Sequence, residues 1–187
     1  MKDIKDQTVL AVDPSINSCG VAIFKSGKLM NIDTIKAPKG LKDEDIMYRC
    51  LRISQSVVAW LVDLRMTPTT LVVEWPQIYP GPGRKNPNNL FGLAGVNGCI
   101  AGMLSTSLAI DNQPFQVISA LPREWAKRQP KTKSGDAKLS VRARGIYRRL
   151  DSLERVHWDV KKLSHDAIDA LGIGLFALGR TDFGIMV

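Results

Sequence analysis

Thr8-Val9-Leu10-Ala11-Val12-Asp13-Pro14-Ser15-Ile16-Asn17-Ser18-Cys19-Gly20-Val21-Ala22-Ile23-Phe24 is the stretch whose reading decides the fold. Its first five residues are apolar or β-branched without interruption, the pattern of a central strand. Pro14 cannot continue a central ladder, so the strand closes at Asp13. Gly20 to Phe24 repeats the pattern as a second strand. Ser26-Gly27 is a turn signal, and Leu29-Met30-Asn31-Ile32-Asp33-Thr34-Ile35 alternates like a half-buried third strand. The chain therefore opens with a three-stranded meander.

Working outward, residues 43–65 place Ile46, Leu51, Val57, Val58, Leu61 and Leu64 at roughly helical spacing, which predicts a helix. Thr70-Leu71-Val72-Val73-Glu74 is a near-continuous apolar run, expected of a strand buried on both faces. A loop rich in Pro and Gly follows from Tyr79 to Pro87. Asn86 to Ile110 then carries no charge across 25 residues, long enough in principle to cross a bilayer. Its Asn88, Asn89, Asn97, Ser105, Thr106 and Ser107, with Gly92, Gly95, Gly98 and Gly102, read instead as a small-residue helix that is buried or interfacial, with no membrane role. Phe115-Gln116-Val117-Ile118 is a fifth strand, a helix is expected near 136–150, and residues 164–178 form the last helix. The order βββ-α-β-α-β-α-α puts the helix-joined strands in parallel. The fold class is α/β, a mixed five-stranded sheet flanked by helices. Ligand sites are expected at the carboxyl ends of its strands.

The 187 residues suit one domain over 1–187, large enough to bury a core without staples. No internal repeat is present. Cys19, Cys50 and Cys99 are odd in number and in no CxxC pair, which argues against a disulfide framework or structural zinc and for a reducing compartment. The first six residues show no apolar signal region, and a cytoplasmic location is expected. Lys and Arg number 26 against 18 Asp and Glu, a net charge of +8. Residues 121–162 hold 13 Lys/Arg and 5 Asp/Glu, which is the whole of that excess. A localised basic segment on a neutral body suggests a polyanionic partner, nucleic acid first; the bland alternative is a solvated basic face.

Two acids close apolar strands: Asp13 the first and Glu74 the fourth. If those strands are neighbours, both side chains emerge at one place. A turn cap before Pro14 would also explain Asp13, and a salt bridge to an Arg would explain Glu74. In the last helix Asp166 and Asp169 are three apart and share a face that continues through Ile173 and Phe176, so the pair looks into the protein. Ser164 is the expected N-cap, and the helix dipole accounts for Asp166 but poorly for Asp169, a turn deeper. Ala170 to Leu178 has no polar side chain, so the helix is expected to be buried all round. Four carboxylates from three elements make a hard-oxygen set of the kind that suits Mg²⁺. Paired metals in such sites hydrolyse phosphodiesters.

Leu10-Ala-Val-Asp13-Pro14-Ser-Ile-Asn-Ser-Cys-Gly20-Val-Ala-Ile, Val72-Val-Glu74 and His165-Asp166-Ala-Ile-Asp169-Ala170-Leu171 resemble, in order and spacing, the RuvC family of Holliday-junction resolvases within the RNase H-like nucleases. The resemblance implies an RNase H-like fold and a homodimer that nicks opposed strands of a four-way DNA junction. It implies two Mg²⁺ ions per active site, with Mn²⁺ as a substitute. It assigns Asp13, Glu74, Asp166 and Asp169 as the metal-binding catalytic acids. Lys138, in Asp136-Ala-Lys138, matches a family lysine that acts near the scissile phosphate, and Lys127 matches a second one loosely. A Lys there would neutralise charge developing in the transition state. His165 is either an accessory ligand or a polar contact at the helix start.

Ten Lys/Arg lie between Pro122 and Leu150. Lys127, Arg128, Lys131 and Lys133 fall in or beside a loop. The following helix has Leu139, Ala143, Ile146 and Leu150 as its core stripe. Lys138, Arg142 and Arg149 line another face, with Arg144 and Arg148 beside it. Lys127, Arg128, Lys131, Lys133 and Arg142, with Arg84, Lys85 and Tyr79 of the Pro/Gly loop, are the expected DNA contacts. Bacterial members of the family carry an aromatic wedge shortly after the catalytic Glu, whereas here Gln77 stands at that position. Tyr79 and Trp75 are the alternatives, with core packing the preferred reading of Trp75. A broader branched-DNA endonuclease and a catalytically silent junction-binding protein are the other functional readings. Half of an actin-like sugar-kinase or ATPase fold would need a second lobe, for which 187 residues lack room. The charge-free helix, over 88–107, is the expected dimer interface.

Overall fold

The computed structural model describes residues 3–40, 44–76, 87–110, 114–125, 141–159 and 162–180. A short 3-10 turn, Ile4–Asp6, leads into β1 (Thr8–Asp13), β2 (Ser18–Lys25) and β3 (Lys28–Lys36). Next come α1 (Ile46–Asp63), β4 (Thr70–Glu74), α2 (Pro87–Ile110) and β5 (Gln116–Ala120). Among the described residues four helices follow: α3 (Pro122–Trp125), α4 (Val141–Tyr147), α5 (Ser152–His157) and α6 (His165–Ala177).

The five strands form one sheet in the order β3-β2-β1-β4-β5. The meander pairs antiparallel, while β1, β4 and β5 run parallel, as strands joined through helices must. The sheet is mixed and helix-flanked, as the sequence predicts. Strand alternation divides its core into two. Val9 and Ala11 of β1, Ala22 and Phe24 of β2 and Val72 of β4 face α6. Leu10, Val12, Val21, Ile23, Leu71 and Val73 face α1 and α2.

Local chemistry sets the helix boundaries. Asp45 caps α1, its side chain accepting from the Met47 N–H. The buried stripe of α1 is Cys50, Ile53, Ser54, Val57 and Leu61, whereas Leu51, expected in it, is exposed. In α2, Val96, Ile100, Leu104 and Leu108 are buried at every fourth position. Two polar groups of α1 fix the approach: the Cys50 thiol donates to Gly92 O at 3.3 Å, and Ser54 Oγ donates to Val96 O at 3.2 Å. The stretch Leu90–Ala109 is apolar and long enough to cross a membrane by length and composition. One face of it packs on α1, and Phe91, Gly98, Gly102, Ser105, Thr106 and Ser107 are exposed on the remainder.

The helix expected near 136–150 is seen over Val141–Tyr147, with residues 136–140 outside the described ones. Ala143, Ile146 and Leu150 are buried as expected. Arg149 is not on an open basic face: it lies past the end of α4 and is only 7% exposed. Burial lowers its pKa to about 10. Arg144 and Arg148 are exposed. The short helices α3 and α5 have no counterpart in the sequence reading. Six residues or fewer give too few turns for a periodic pattern, although the capping box of α5, Asp151 with Glu154, was visible in principle.

Candidate functional site

The register of β1 with β4 runs through Val12 opposite Val73, which leaves Asp13 and Glu74 one residue further on at the carboxyl ends of adjacent parallel strands. Strand parity gives their direction. Asp13 continues Val9 and Ala11, and Glu74 continues Val72, so both belong to the face covered by α6. Both are half-buried.

Helix α6 arrives at this point because of a glycine. Gly20 is the β2 partner of Asp13, and a Cβ on it would overlap the backbone carbonyl of Asp166. The first turn of α6 therefore lies directly on the sheet beside Asp13. Ser164 caps that turn, its hydroxyl accepting from the Ala167 N–H at 3.1 Å, as the sequence predicts. Asp166 is half-buried and accepts from the Ser18 hydroxyl at 2.7 Å. Asp169 is 2% exposed. Two glycines let the rest of the helix sink in. A Cβ at Gly174 would strike the Phe24 ring, and one at Gly172 would meet Trp125 and Ile146 at 2.9 Å. Ala167 through Leu175 are all buried.

Three partners of the acids escaped the sequence reading. Trp125, at the end of α3, donates its indole N–H to Glu74 Oε2 at 3.1 Å, where the sequence offers a salt bridge to an Arg as the structural alternative. Ser18 is the donor to Asp166. Arg142, expected among the DNA contacts, lies against Asp169, with Nη1 at 3.2 Å from both carboxylate oxygens. Its guanidinium also stands over the Trp125 ring, 5.2 Å from the centroid. Read locally, Arg142 is one more cation beside the core stripe of its helix. Its pairing with Asp169 comes from the packing of α4 on α6 and leaves no local signal.

Asn97 of α2 donates to the backbone carbonyl of Glu74 at 3.1 Å and ties the end of β4 to the other layer. Trp75 follows Glu74 and is 47% exposed, so core packing does not account for it. His165 is exposed at the first position of α6. Lys127, Arg128, Lys131, Lys133, Lys138, Arg84, Lys85 and Tyr79 lie outside the described residues.

The donor set, carboxylates with no thiolate among them, fits a hard divalent cation. Asp13, Glu74, Asp166 and Asp169 would hold it. In the arrangement seen, no three His, Cys, Asp or Glu side chains among the described residues are grouped to enclose an ion. Ser18, Trp125 and Arg142 each donate to one of the acids: Asp166, Glu74 and Asp169 in turn.

No family model matches the chain. Over 98 residues it is 30% identical to the crossover junction endodeoxyribonuclease RuvC of Mycolicibacterium vanbaalenii. That match spans 50% of this chain and 45% of the relative's length. Among solved structures, the fold is similar to T. thermophilus RuvC in complex with Holliday junction substrate, with a TM-score of 0.57, 17% identity and 91% of each chain covered. It is equally similar to the yeast mitochondrial Holliday junction resolvase Ydc2, with a TM-score of 0.57, 13% identity, and 94% of this chain and 81% of that one covered. The sequence match covers part of the chain and agrees with the RuvC-like resemblance there, and the mixed sheet with its flanking helices is the fold of these solved structures.

Proposed function

We infer that the chain is a divergent RuvC-like Holliday-junction resolving endonuclease that hydrolyses phosphodiesters in opposed strands of four-way DNA junctions. The observation that supports this reading is that Asp13 and Glu74 end adjacent parallel strands on the face covered by α6, whose first turn brings the Asp166 backbone against Gly20, the β2 partner of Asp13. Divalent Mg²⁺, two ions per site, with Mn²⁺ as substitute, would supply water activation and stabilise the leaving oxygen.

The chain's own residues do the rest. Strand ends and a buried helix carry the four carboxylates on a rigid backbone frame. Ser18 and Trp125 orient Asp166 and Glu74 through hydrogen bonds. Lys138 is proposed to neutralise charge at the scissile phosphate. Lys127, Arg128, Lys131, Lys133, Arg84 and Lys85 are proposed to bind DNA phosphates, with Tyr79 stacking at the junction; Arg142, also expected there, is turned to Asp169. His165, exposed at the first position of α6, is proposed as accessory only. The half-exposed Trp75 is the described aromatic nearest in sequence to Glu74 and is a second stacking group.

Symmetric cutting of two strands requires two sites related by a two-fold axis. The exposed, charge-free face of α2 is the proposed contact between two copies, acting in the cytoplasm on branched DNA.

The test is a labelled, non-migrating four-way junction beside a duplex and a flap, each with Mg²⁺ or EDTA. Symmetric nicks confined to the junction and lost in EDTA are expected. Asp169→Asn should reduce cutting by a factor of at least ~10³ while junction binding persists. Equal cutting of flaps would replace this reading with a general branched-DNA nuclease. Metal-dependent cutting retained by Asp169→Asn would remove the site assignment.

A further inference from the structure

The buried half of the site is held by a charge that belongs to the protein. Asp169 has a side chain 3% exposed, and Arg142 reaches it from α4 with a side chain 15% exposed. A carboxylate this deep requires a counter-charge, because an uncompensated buried charge is strongly destabilising. Arg142 supplies one. The same guanidinium lies over the face of Trp125, whose indole N–H is bonded to Glu74. Trp125 itself is 1% exposed and is pressed against Gly172 of α6. One aromatic ring therefore touches the cation on Asp169 with its face and the carboxylate of Glu74 with its edge.

We propose that Arg142 and a divalent cation compete for Asp169, so that cation binding is coupled to withdrawal of the Arg142 guanidinium from the site and is reported by Trp125. This rests on the nuclease reading, and deepens it. Two like charges on one carboxylate in a shielded site repel strongly, and the ion would bring two positive charges to the place that Arg142 now neutralises. The pairing accords with the finding that no three acids among the described residues are grouped to enclose an ion. It also makes Arg142 a positioning residue: it keeps Asp169 paired and oriented in the absence of metal, and lowers the affinity of the site for metal in return.

The experiment measures Mn²⁺ binding to the DNA-free protein by electron paramagnetic resonance, for wild type, Arg142→Gln, Arg142→Lys and Asp169→Asn. Arg142→Gln is expected to bind Mn²⁺ at least about tenfold more tightly than wild type, and Arg142→Lys, which keeps the charge, to remain near wild type. Asp169→Asn should bind weakly. A parallel titration of wild type with Mg²⁺, which is not paramagnetic, should change the tryptophan emission, and Trp125→Phe should abolish that change. This second readout does not depend on the Arg142 variants folding. Equal or weaker binding by Arg142→Gln, with wild type still binding, overturns the competition and leaves the nuclease reading intact. An emission unmoved while the ion binds overturns it too. Binding of no Mn²⁺ by any of the proteins overturns the competition and the metal-dependent reading together.

Discussion

Helices α2 and α6 look alike as sequences and behave as opposites in the fold. Both are apolar, both lack Lys and Arg, and both contain paired small residues, Gly98 with Gly102 and Gly172 with Gly174. Along α6, nine consecutive residues from Ala167 to Leu175 are buried. Along α2, burial recurs at every fourth residue and one face stays open. The glycines show why. Those of α6 sit where a Cβ would strike Phe24 or Trp125, whereas Gly98 and Gly102 have nothing within 4 Å of a Cβ position. Helix α6 is covered by the sheet and by α3 and α4, while α2 is covered chiefly by α1. Composition tells how apolar a helix is; only its neighbours tell how many of its faces are used.

The comparison breaks first at the close approaches. Gly20→Ala should be the most damaging change, because the obstacle is the Asp166 backbone and not a flexible side chain. A loss of ~3 kcal/mol or more in urea unfolding is expected. Gly174→Ala should cost ~1–3 kcal/mol, since the Phe24 ring can partly give way. Wild-type stability in both variants would mean that α6 does not lie on the sheet as described.

On α2 the sign should reverse. Gly98→Ala and Gly102→Ala meet no neighbour, so each should raise helix stability by up to ~1 kcal/mol in a monomer. If the open face joins two copies, light scattering should show the same variants associating less well. Loss of monomer stability would show that the face is covered within the chain.

The smallest expected effect concerns pH. Just beyond α6, Arg180 is bonded to Glu154 of α5, with Nη2 to Oε2 at 2.5 Å, while α2 has no charged group to titrate. Burial raises the Glu154 pKa, but hydrogen bonds from Arg180 and from the Leu29 and Asp151 N–H groups outweigh it, and the net shift is downward. A folded pKa below the unfolded one, about 4.3, stabilises the protein fully above that value and loses the contribution as pH falls through the folded pKa. Urea midpoints of wild type and Arg180→Gln should therefore differ at neutral pH and converge in acid. A gap that stays constant down to about pH 2 would place the effect of Arg180 elsewhere.

Much of the site was legible because its acids end local patterns. Asp13 and Glu74 close runs of period two, and Asp166 and Asp169 open a helix with a visible cap. What was not legible are the donors that hold them. Ser18 and Asp166 are 148 positions apart, Glu74 and Trp125 are 51 apart, and Arg142 and Asp169 are 27 apart. Arg142 reads as one more cation in a basic segment; its spacing of four from the buried Ile146 sets it at the edge of the core stripe but does not name Asp169 as its partner.

The sequence by itself determined the strands, the long helices, their order and the four carboxylates at strand and helix ends, because hydrophobic period, proline and caps act over a few residues. The tertiary structure decided which face of α2 stays open, that Gly20 admits the first turn of α6 to the sheet, and that Arg142 and Trp125 hold two of the acids. Those outcomes depend on which side chains meet across the chain, and close packing of distant elements settles that where local periodicity has no say.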